Sequence, residues 1–329
     1  MVEITEDDYY SNMYDIEKLT HLSGKERTKN SIVRKIEHLI SHNKCLEAKE
    51  EIIGYLDKNK LTPEIEMIKG ALWIKERLFK SYFNDELSCL SKSPKECALS
   101  ELSYYTKEEK QILLRKMLVE TPVSESWKEI SPDPKNEDEV NHFYMVTDSY
   151  IYELMAANHI IQTLYSYYVL IQKLKDLKIH TILDYGAGAG TLSILFKELG
   201  YNVTYADLSG KTFGFAKWRF KKRNYDIPMI DLTKEERKEE HNHDCIVCTE
   251  VFEHLVNPLK LLDRFSKILK KDQFLIISES CKYTKDFCSH LETNKKYGGD
   301  KFKILLQKQG FVQIKADPFI PQLIFRKIV

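Results

Sequence analysis

The chain of 329 residues has no excess of either charge, with Lys plus Arg and Asp plus Glu numbering 50 each. Such a balance sets up no global field to collect nucleic acid or an anionic membrane surface. Long apolar runs are also missing, and nothing approaches the ~20 consecutive apolar residues that span a bilayer. The opening Met-Val-Glu-Ile-Thr-Glu-Asp-Asp lacks the basic and then apolar order of a secretory leader. The seven cysteines are an odd number, and several lie inside apolar segments as small core residues do. These absences lead us to expect a reduced, cytoplasmic protein with no membrane span. Apolar residues make up 43% and charged residues 30%, which places the chain among ordinary globular proteins. Its length admits two domains, or one large domain with a helical extension.

One stretch organises the rest. Residues 181–190 read Thr-Ile-Leu-Asp-Tyr-Gly-Ala-Gly-Ala-Gly. Ile182 and Leu183 are short, apolar and bounded by polar residues, which predicts a buried strand. Glycine at 186, 188 and 190 suits a sharp turn that a ligand approaches closely. From Thr191 the period becomes helical, through Leu192, Leu195, Phe196 and Leu199, with Gly200 as the stop. Strand, glycine turn and helix in this order make a nucleotide-type binding turn.

The same alternation continues. Residues 201–206 predict a second strand ending at Asp207, followed by a helix from Lys211 to Arg223. Ile227, Met229 and Ile230 form a third strand ending at Asp231; residues 244–249 form a fourth and 274–278 a fifth. Asn257-Pro258 opens a helix through Leu261, Leu262, Phe265, Ile268 and Leu269. Alternating strands and helices argue for an α/β fold with a parallel sheet covered on both faces. Ligands then bind at the carboxyl ends of the strands, where Asp184, Asp207, Asp231 and Glu250 stand. An acid closing the second strand is placed to accept hydrogen bonds from ribose hydroxyls. A dinucleotide fingerprint begun at Gly186 needs glycine at 191, where Thr191 stands, and it does not call for Asp184 ahead of the glycines. A pyrophosphate prefers bare N–H groups at a helix start, whereas a ligand with an ammonium and a sulfonium welcomes a carboxylate. That chemistry points to S-adenosylmethionine.

The chain here resembles the class I S-adenosylmethionine-dependent methyltransferases, in their small-molecule branch that includes ubiquinone-type and natural-product enzymes. The resemblance covers roughly residues 145–329. It rests on Ile182-Leu183-Asp184-Tyr185-Gly186-Ala187-Gly188-Ala189-Gly190, on Asp207, on Asp231-Leu232 and on Glu250-Val251-Phe252-Glu253-His254-Leu255. His290-Leu291, Tyr297-Gly298 and Phe302 through Gly310-Phe311 look like the branch's closing helix and hairpin. The family implies a Rossmann-like, doubly wound, mostly parallel seven-stranded sheet with an antiparallel C-terminal hairpin. It implies Asp184 near the methionine amino group and Gly186 and Gly188 giving close backbone approach. It further implies Asp207 on the ribose and Asp231 at the adenine, with Tyr185, Ala187, Gly190, Leu208, Leu232 and Glu250 completing the cofactor set. Lys271-Asp272 departs from the family's Gly-rich turn, and a type I turn absorbs the change.

Methyl transfer from a sulfonium is an in-line displacement, and a base is needed only when the acceptor carries a proton. His254 is the leading base candidate because imidazole titrates near neutrality, with Glu253 to orient it and His290 as a second candidate. The alternative is that Glu253 and His254 only start a helix and hold a loop. Residues 142–177 are crowded with Tyr, and Tyr144, Tyr150 and Tyr152 suit the wall of a substrate cleft; packing onto the sheet is the alternative. No metal is assigned. His241, His243, Cys245 and Cys248 have ligand residue types, but the cysteines lie in an apolar strand and point to opposite faces. The basic and aromatic run Lys217 to Arg223 reads as the outer face of a helix with Trp218 and Phe220 turned inward, making nucleic acid an unlikely partner.

The first half is expected to be all-α, with domains at 1–135, a Tyr-rich cap at 136–180 and the cofactor domain at 181–329. Residues 1–24 support no assignment. Helical faces run through Ile32, Ile36, Leu39 and Ile40, then Ala48, Ile52, Ile53 and Leu56, then Ile65, Ile68, Leu72 and Phe79 after Pro63. Such pairs loosely resemble tetratricopeptide helices and suit either a docking module or a plain cap. Residues 84–103 read as a loose connection, Lys107 to Val119 as a helix, and Ser131-Pro132-Asp133-Pro134 with residues 135–139 as the linker. Three functions stay open: a methyltransferase acting on O, N or C of a small molecule, one acting on a protein or peptide recruited by the helices, and a non-catalytic cofactor-binding scaffold.

Overall fold

The computed structural model describes residues 31–59, 61–83, 86–118, 122–234, 242–278, 289–314 and 322–329; residues 1–24 and His241 lie outside them. The chain divides into two compact units, one of residues 1–120 with 156–168, the other of residues 121–155 with 169–329.

In the first unit, α1 (Ser31–Ser41), α2 (Cys45–Leu56) and α3 (Pro63–Phe83) share one apolar cluster. Ile36, Ala48, Ile65 and Ile68, which helical spacing puts on one face of each helix, are wholly buried in it. Residues 84–103 are not a loose connection: α4 (Glu86–Ser91) and α5 (Pro94–Thr106) occupy its described part. The Ser93 hydroxyl accepts the Glu96 N–H at 3.1 Å, and Pro94 stands in the first turn where its missing N–H costs nothing. Cys97, Ala98 and Leu102 are then buried, so capping and core outweigh the polar composition. The helix expected from Lys107 begins later, as α6 (Lys110–Leu118), because Lys107 takes φ +64° and ends α5, donating its N–H to Ser103 O.

The second unit opens with α7 (Pro122–Ile130), α8 (Glu137–Val146), α9 (Ser149–Ala157) and α10 (Ile161–Asp176), and the last two have residues in both units. Val123 and Trp127 pack with Val140, Phe143 and Leu291, and the Trp127 and Phe143 rings meet edge to face at 4.8 Å. The Pro-rich stretch at 131–139 is therefore internal to this unit, a turn that ends where Asn136 caps α8 by accepting the Asp138 and Glu139 N–H groups.

The sheet is built of β1 (Thr181–Tyr185), β2 (Asn202–Asp207), β3 (Met229–Asp231), β4 (Cys245–Thr249), β5 (Phe274–Ser278), β6 (Phe311–Gln313) and β7 (Leu323–Lys327). Its order is β3-β2-β1-β4-β5-β7-β6, parallel through β5, with β7 antiparallel to both of its neighbours. The expected Rossmann-like sheet with an antiparallel hairpin is what forms. Parallel neighbours need crossovers, here α11 (Thr191–Glu198), α12 (Lys211–Lys222) and α13 (Pro258–Ile268). Leu261, Leu262, Phe265 and Ile268 of α13 join Leu183, Ile246 and Leu275 of the strands in the main core, and Phe302 and Leu306 of α14 (Asp300–Lys308) close it. The turn before β5 is not the type I turn expected, since Asp272 takes φ +70°, a region that Asp tolerates, and donates its N–H to Lys327 O at 2.9 Å.

Two glycines separate packing from helix propensity. A Cβ on Gly210 would lie 2.4 Å from the Met145 backbone, whereas one on the exposed Gly54 in α2 would meet nothing within 4 Å. Thermal unfolding is expected to show Gly210→Ala destabilised by about 1–3 kcal/mol and Gly54→Ala stabilised by about 0.5–1 kcal/mol.

Candidate functional site

Between β1 and α11 the chain takes left-handed φ at Gly186 (+67°), Gly188 (+53°) and Gly190 (+71°). A Cβ on Gly186 would stand 2.4 Å from Val251 Cγ2, and one on Gly188 2.7 Å from Leu154 Cδ1. The volume these two glycines vacate is thus taken by the protein's own side chains. The turn's peptide groups are held on several sides. Gly186 and Ala187 donate to Ala206 O at 2.8 and 3.2 Å, and Gly188 N–H donates to Asp207 Oδ2 at 2.5 Å. In the other direction the buried Tyr205 hydroxyl donates to Gly188 O at 2.8 Å, and Arg219 Nη1 donates to Ala189 O at 2.7 Å and Thr191 Oγ1 at 3.0 Å. Arg219 is wholly buried. Sequence reasoning put it on an exposed basic face; yet Phe215, Ala216, Arg219 and Phe220 fall at helical spacing, and all four are buried.

Asp184 is buried at the end of β1 and accepts the Ser193 hydroxyl at 2.6 Å. Burial pushes its carboxyl up to about 7, Ser193 pulls it down, and the charge of Asp207 adds to the rise. Burial likewise lifts Asp207 to about 6 against the pull of the Gly188 and Leu208 amides, the latter at 2.6 Å. Those two bonds occupy one acceptor site on each oxygen and leave others for a ligand. Asp231 pairs with Asp207 in the β2–β3 register. Burial alone would raise its carboxyl, but the hydroxyl and amide of Thr233 and the charge of Lys234 hold it below the usual range. Leu232 N–H donates to Asp207 O, and Leu232 leans on the main core. The Tyr185 ring packs edge-on against Phe265 at 5.0 Å in that core, so its backbone is its contribution to the turn. Glu250, exposed after β4, takes φ +53° and donates its N–H to Ser278 Oγ. A non-glycine residue held in this region stores backbone strain, which concentrates at functional sites.

A second group forms where the segment after β4 meets Ser289–Leu291. Tyr144, Tyr150, His254 and His290 are in ring contact: the Tyr144 and Tyr150 centroids lie 5.4 and 6.2 Å from that of His254, and the His254 and His290 rings meet at 4.9 Å. His254 Nδ1 lies 2.8 Å from the Tyr144 hydroxyl and 3.1 Å from Ser289 O. Glu253, wholly buried, adjoins them, and one ligand atom from each of Glu253, His254 and His290 lies within 4.8 Å of the other two. Of the three tyrosines proposed for a substrate wall, the structure gathers Tyr144 and Tyr150. Tyr152 is buried, and along α9 it diverges from Tyr150 by roughly 200°. His254 also departs from the near-neutral titration expected of it. Burial first, then the charge of His290, lowers it to about 3 against the pull of Ser289 O, which makes it a neutral imidazole and a weak base.

Sequence reasoning missed two further residues. Asn294, buried, shares its Nδ2 among the carbonyls of Phe252 (3.1 Å), Glu253 (3.2 Å) and Leu255 (2.8 Å), clamping the short 3-10 turn Phe252–His254. Glu153 stands one helical turn after Tyr150, and burial pushes its carboxyl up to about 7. In the other constellation, Cys245 and Cys248 are wholly buried in β4 and His243 Nε2 shares a hydrogen bond with Thr204 Oγ1 at 3.0 Å. Phe220 is buried as expected, while Trp218 is half-buried and stacks on Phe215.

Three acids lifted this far make stability depend on pH. Asp184, Asp207 and Glu153 keep protons in the folded chain that the unfolded chain releases above ~4–5, so stability falls as pH rises through about 7. Below about 6.5 His254 works the other way, because it stays neutral when folded and is protonated when unfolded. Unfolding scans between pH 6.5 and 8 are expected to show the ligand-free chain losing stability up to about pH 7, by less than about 1.4 kcal/mol per unit for each of Asp184 and Glu153, and levelling off above it. Asp184→Asn should raise the melting temperature at pH 8 and flatten that slope.

The comparisons with known proteins concern this same part of the chain. Residues 157–316 match the family described as a methyltransferase domain. A ubiquinone biosynthesis O-methyltransferase of Shewanella pealeana is 28% identical over 99 residues, which are 30% of this chain and 42% of that protein. The Rickettsia akari protein of the same description is 31% identical over 97 residues, 30% of this chain and 39% of the other. The chain thus spans less than half the length of these curated relatives. Among solved structures, a methyltransferase from Pyrococcus furiosus aligns over 52% of this chain and 85% of its own, at 16% identity and a TM-score of 0.37. With a glycine turn between β1 and α11 and acids closing β1 and β2, the matched part of the chain, residues 157–316, is a domain of the class I S-adenosylmethionine-dependent methyltransferase family, related at low identity to the ubiquinone-type O-methyltransferases.

Proposed function

We propose that this chain transfers the methyl group of S-adenosylmethionine to an oxygen atom of a small molecule. The observation that carries the reading is the pair of carboxylates, Asp184 and Asp207, flanking one glycine turn and both raised by burial. A ligand bearing an ammonium and a sulfonium restores their ionised forms, so the residues present fit this cofactor. Asp184 would hold the amino group, Asp207 the ribose and Asp231 the adenine edge, with the peptides of Gly186 to Gly190 lining the methionine end. When bound, the cofactor supplies a methyl group on a positively charged sulfur, ready for in-line displacement. Alignment supplies much of the rate, and here it would come from Tyr144, Tyr150 and the His254–His290 pair, which meet in ring contact. Oxygen is preferred over nitrogen or carbon because the relatives matched are described as O-methyltransferases.

A second reading, in which the N-terminal helices recruit a protein or peptide acceptor, is supported by large apolar residues exposed on the first unit, Ile53 at 60% and Leu87 at 64%.

Calorimetry is expected to give one S-adenosylmethionine site, with Asp184→Ala and Asp207→Ala each weakening it by roughly tenfold or more. Failure of the wild-type chain to bind the cofactor would overturn the reading. Transfer of a labelled methyl group should favour hydroxylated small molecules over peptides. Preference for a peptide that is lost in Ile53→Glu with Leu87→Glu would establish the second reading instead.

A further inference from the structure

In the first unit a buried ammonium lies among cysteines. Lys75 of α3 is 1% exposed, and its Nζ donates to Cys89 O at 2.5 Å and to Leu90 O at 3.3 Å. A lysine so deeply buried is stabilised by an anion, because two neutral carbonyls do not balance a full charge. Glu76, the next residue, pairs with Lys49. The charge of Lys75 reaches the thiols of Cys45, Cys89 and Cys97, all of them free and buried.

Two of these thiols also touch each other. Cys89 in α4 and Cys97 in α5 share a side-chain hydrogen bond, on helices joined by Lys92 and Ser93 alone. Cys89 Sγ donates to Glu76 O at 3.9 Å, which leaves the Cys89 sulfur to accept the S–H of Cys97. The bond therefore has a direction. It lowers the Cys89 thiol below its ordinary range against burial, and the charge of Lys75 adds to the fall. Burial first, then the same bond, pushes the Cys97 thiol up, and burial raises Cys45 as well. One sulfur is thus disposed to be a thiolate and its neighbour to stay protonated, the division between an attacking and a resolving cysteine. An inert core cysteine has neither a cation beside it nor a second thiol in contact.

We propose that Cys89 and Cys97 form a modification site for hydroperoxides such as hydrogen peroxide, oxidised reversibly to a disulfide between α4 and α5. The Cys89 thiolate attacks one peroxide oxygen, the oxygen–oxygen bond breaks and hydroxide leaves. Cys89 becomes a sulfenic acid, its sulfur oxidised as the peroxide is reduced. The Cys97 sulfur then attacks the Cys89 sulfur, the sulfur–oxygen bond breaks, and the hydroxyl departs with the Cys97 proton as water. A dithiol reverses the modification by exchange. Burial selects the oxidant, since hydrogen peroxide is little larger than water and passes through local openings that exclude a bulky disulfide.

The test is peptide mapping of the full-length chain, reduced, freed of reductant, treated with hydrogen peroxide and then alkylated. The wild type is expected to yield linked peptides containing Cys89 and Cys97, two hydrogens lighter than the reduced pair and separated again by dithiothreitol. In Cys97→Ser the sulfenic acid has no resolving thiol, so dimedone should label Cys89. In Cys89→Ser, Cys97 should stay a free thiol, and Cys45→Ala should leave the link intact. Lys75→Met should slow loss of the Cys89 thiol roughly tenfold, and the two cysteine variants carry the test where it does not fold. Absence of the Cys89–Cys97 link in the wild type, whether or not other thiols are oxidised, overturns the site. Equal labelling of Cys97 by dimedone in Cys89→Ser overturns it too.

Discussion

The hydrogen bond from Gly188 N–H to the Asp207 carboxylate is the contact on which the rest of this architecture turns. It joins the end of β2 to the middle of the glycine turn, and the neighbouring peptides follow. Ala206 O takes two amides of the turn, the Tyr205 hydroxyl takes Gly188 O, and the buried Arg219 takes Ala189 O. Three left-handed residues in five give a backbone few intrinsic preferences, so its shape must be imposed by partners. A guanidinium is well suited to this, since it stays charged when buried and its fork reaches a carbonyl and the Thr191 hydroxyl together. Val251 and Leu154 then fill the volume that the glycines leave, which couples the turn to the segment after β4 and to α9.

Charge gives the same region its direction. The charge of Asp207 disfavours ionisation of Asp184, and burial withholds water from both. A carboxylate in this position is destabilised until a cation approaches it. The opposite case is found at Asp231, where hydroxyl, amide and lysine partners hold the carboxyl ionised. The first two acids are thus suited to the charged end of a ligand, and the third to a polar edge.

The strand and helix of residues 181–198 were legible because a short apolar run, a glycine series and a 3.6-residue period follow one another without interruption, and the acids at the strand ends followed from the alternation of elements. The α4–α5 region was misjudged on composition, although Ser93-Pro94-Lys95-Glu96 has the spacing of a capping box. Arg219 also carried a signal, in its registry with Phe215 and Phe220, that its charge masked. The meeting of His254 with His290 had no linear trace. It depends on a loop laid against the 3-10 turn by Asn294, and nothing in the local sequence marks an asparagine for that role. Tyr150 and Tyr152 could have been told apart by helical phase alone, since residues two apart cannot line one wall.

The strand order has a consequence for how the chain is made. β7 lies between β5 and β6, bonded to both, although it is the last of the seven to be synthesised. Until residues 323–327 leave the ribosome, the backbone groups along one side of β5 have no strand to pair with. The core face carrying Leu275 and Ile277 also lacks Phe325. A nascent chain therefore presents an apolar strand with an open edge, the arrangement most prone to pair with a neighbouring copy. Translation pausing shortly before β7 would prolong that exposure, whereas rapid completion of the last strand closes the edge from within.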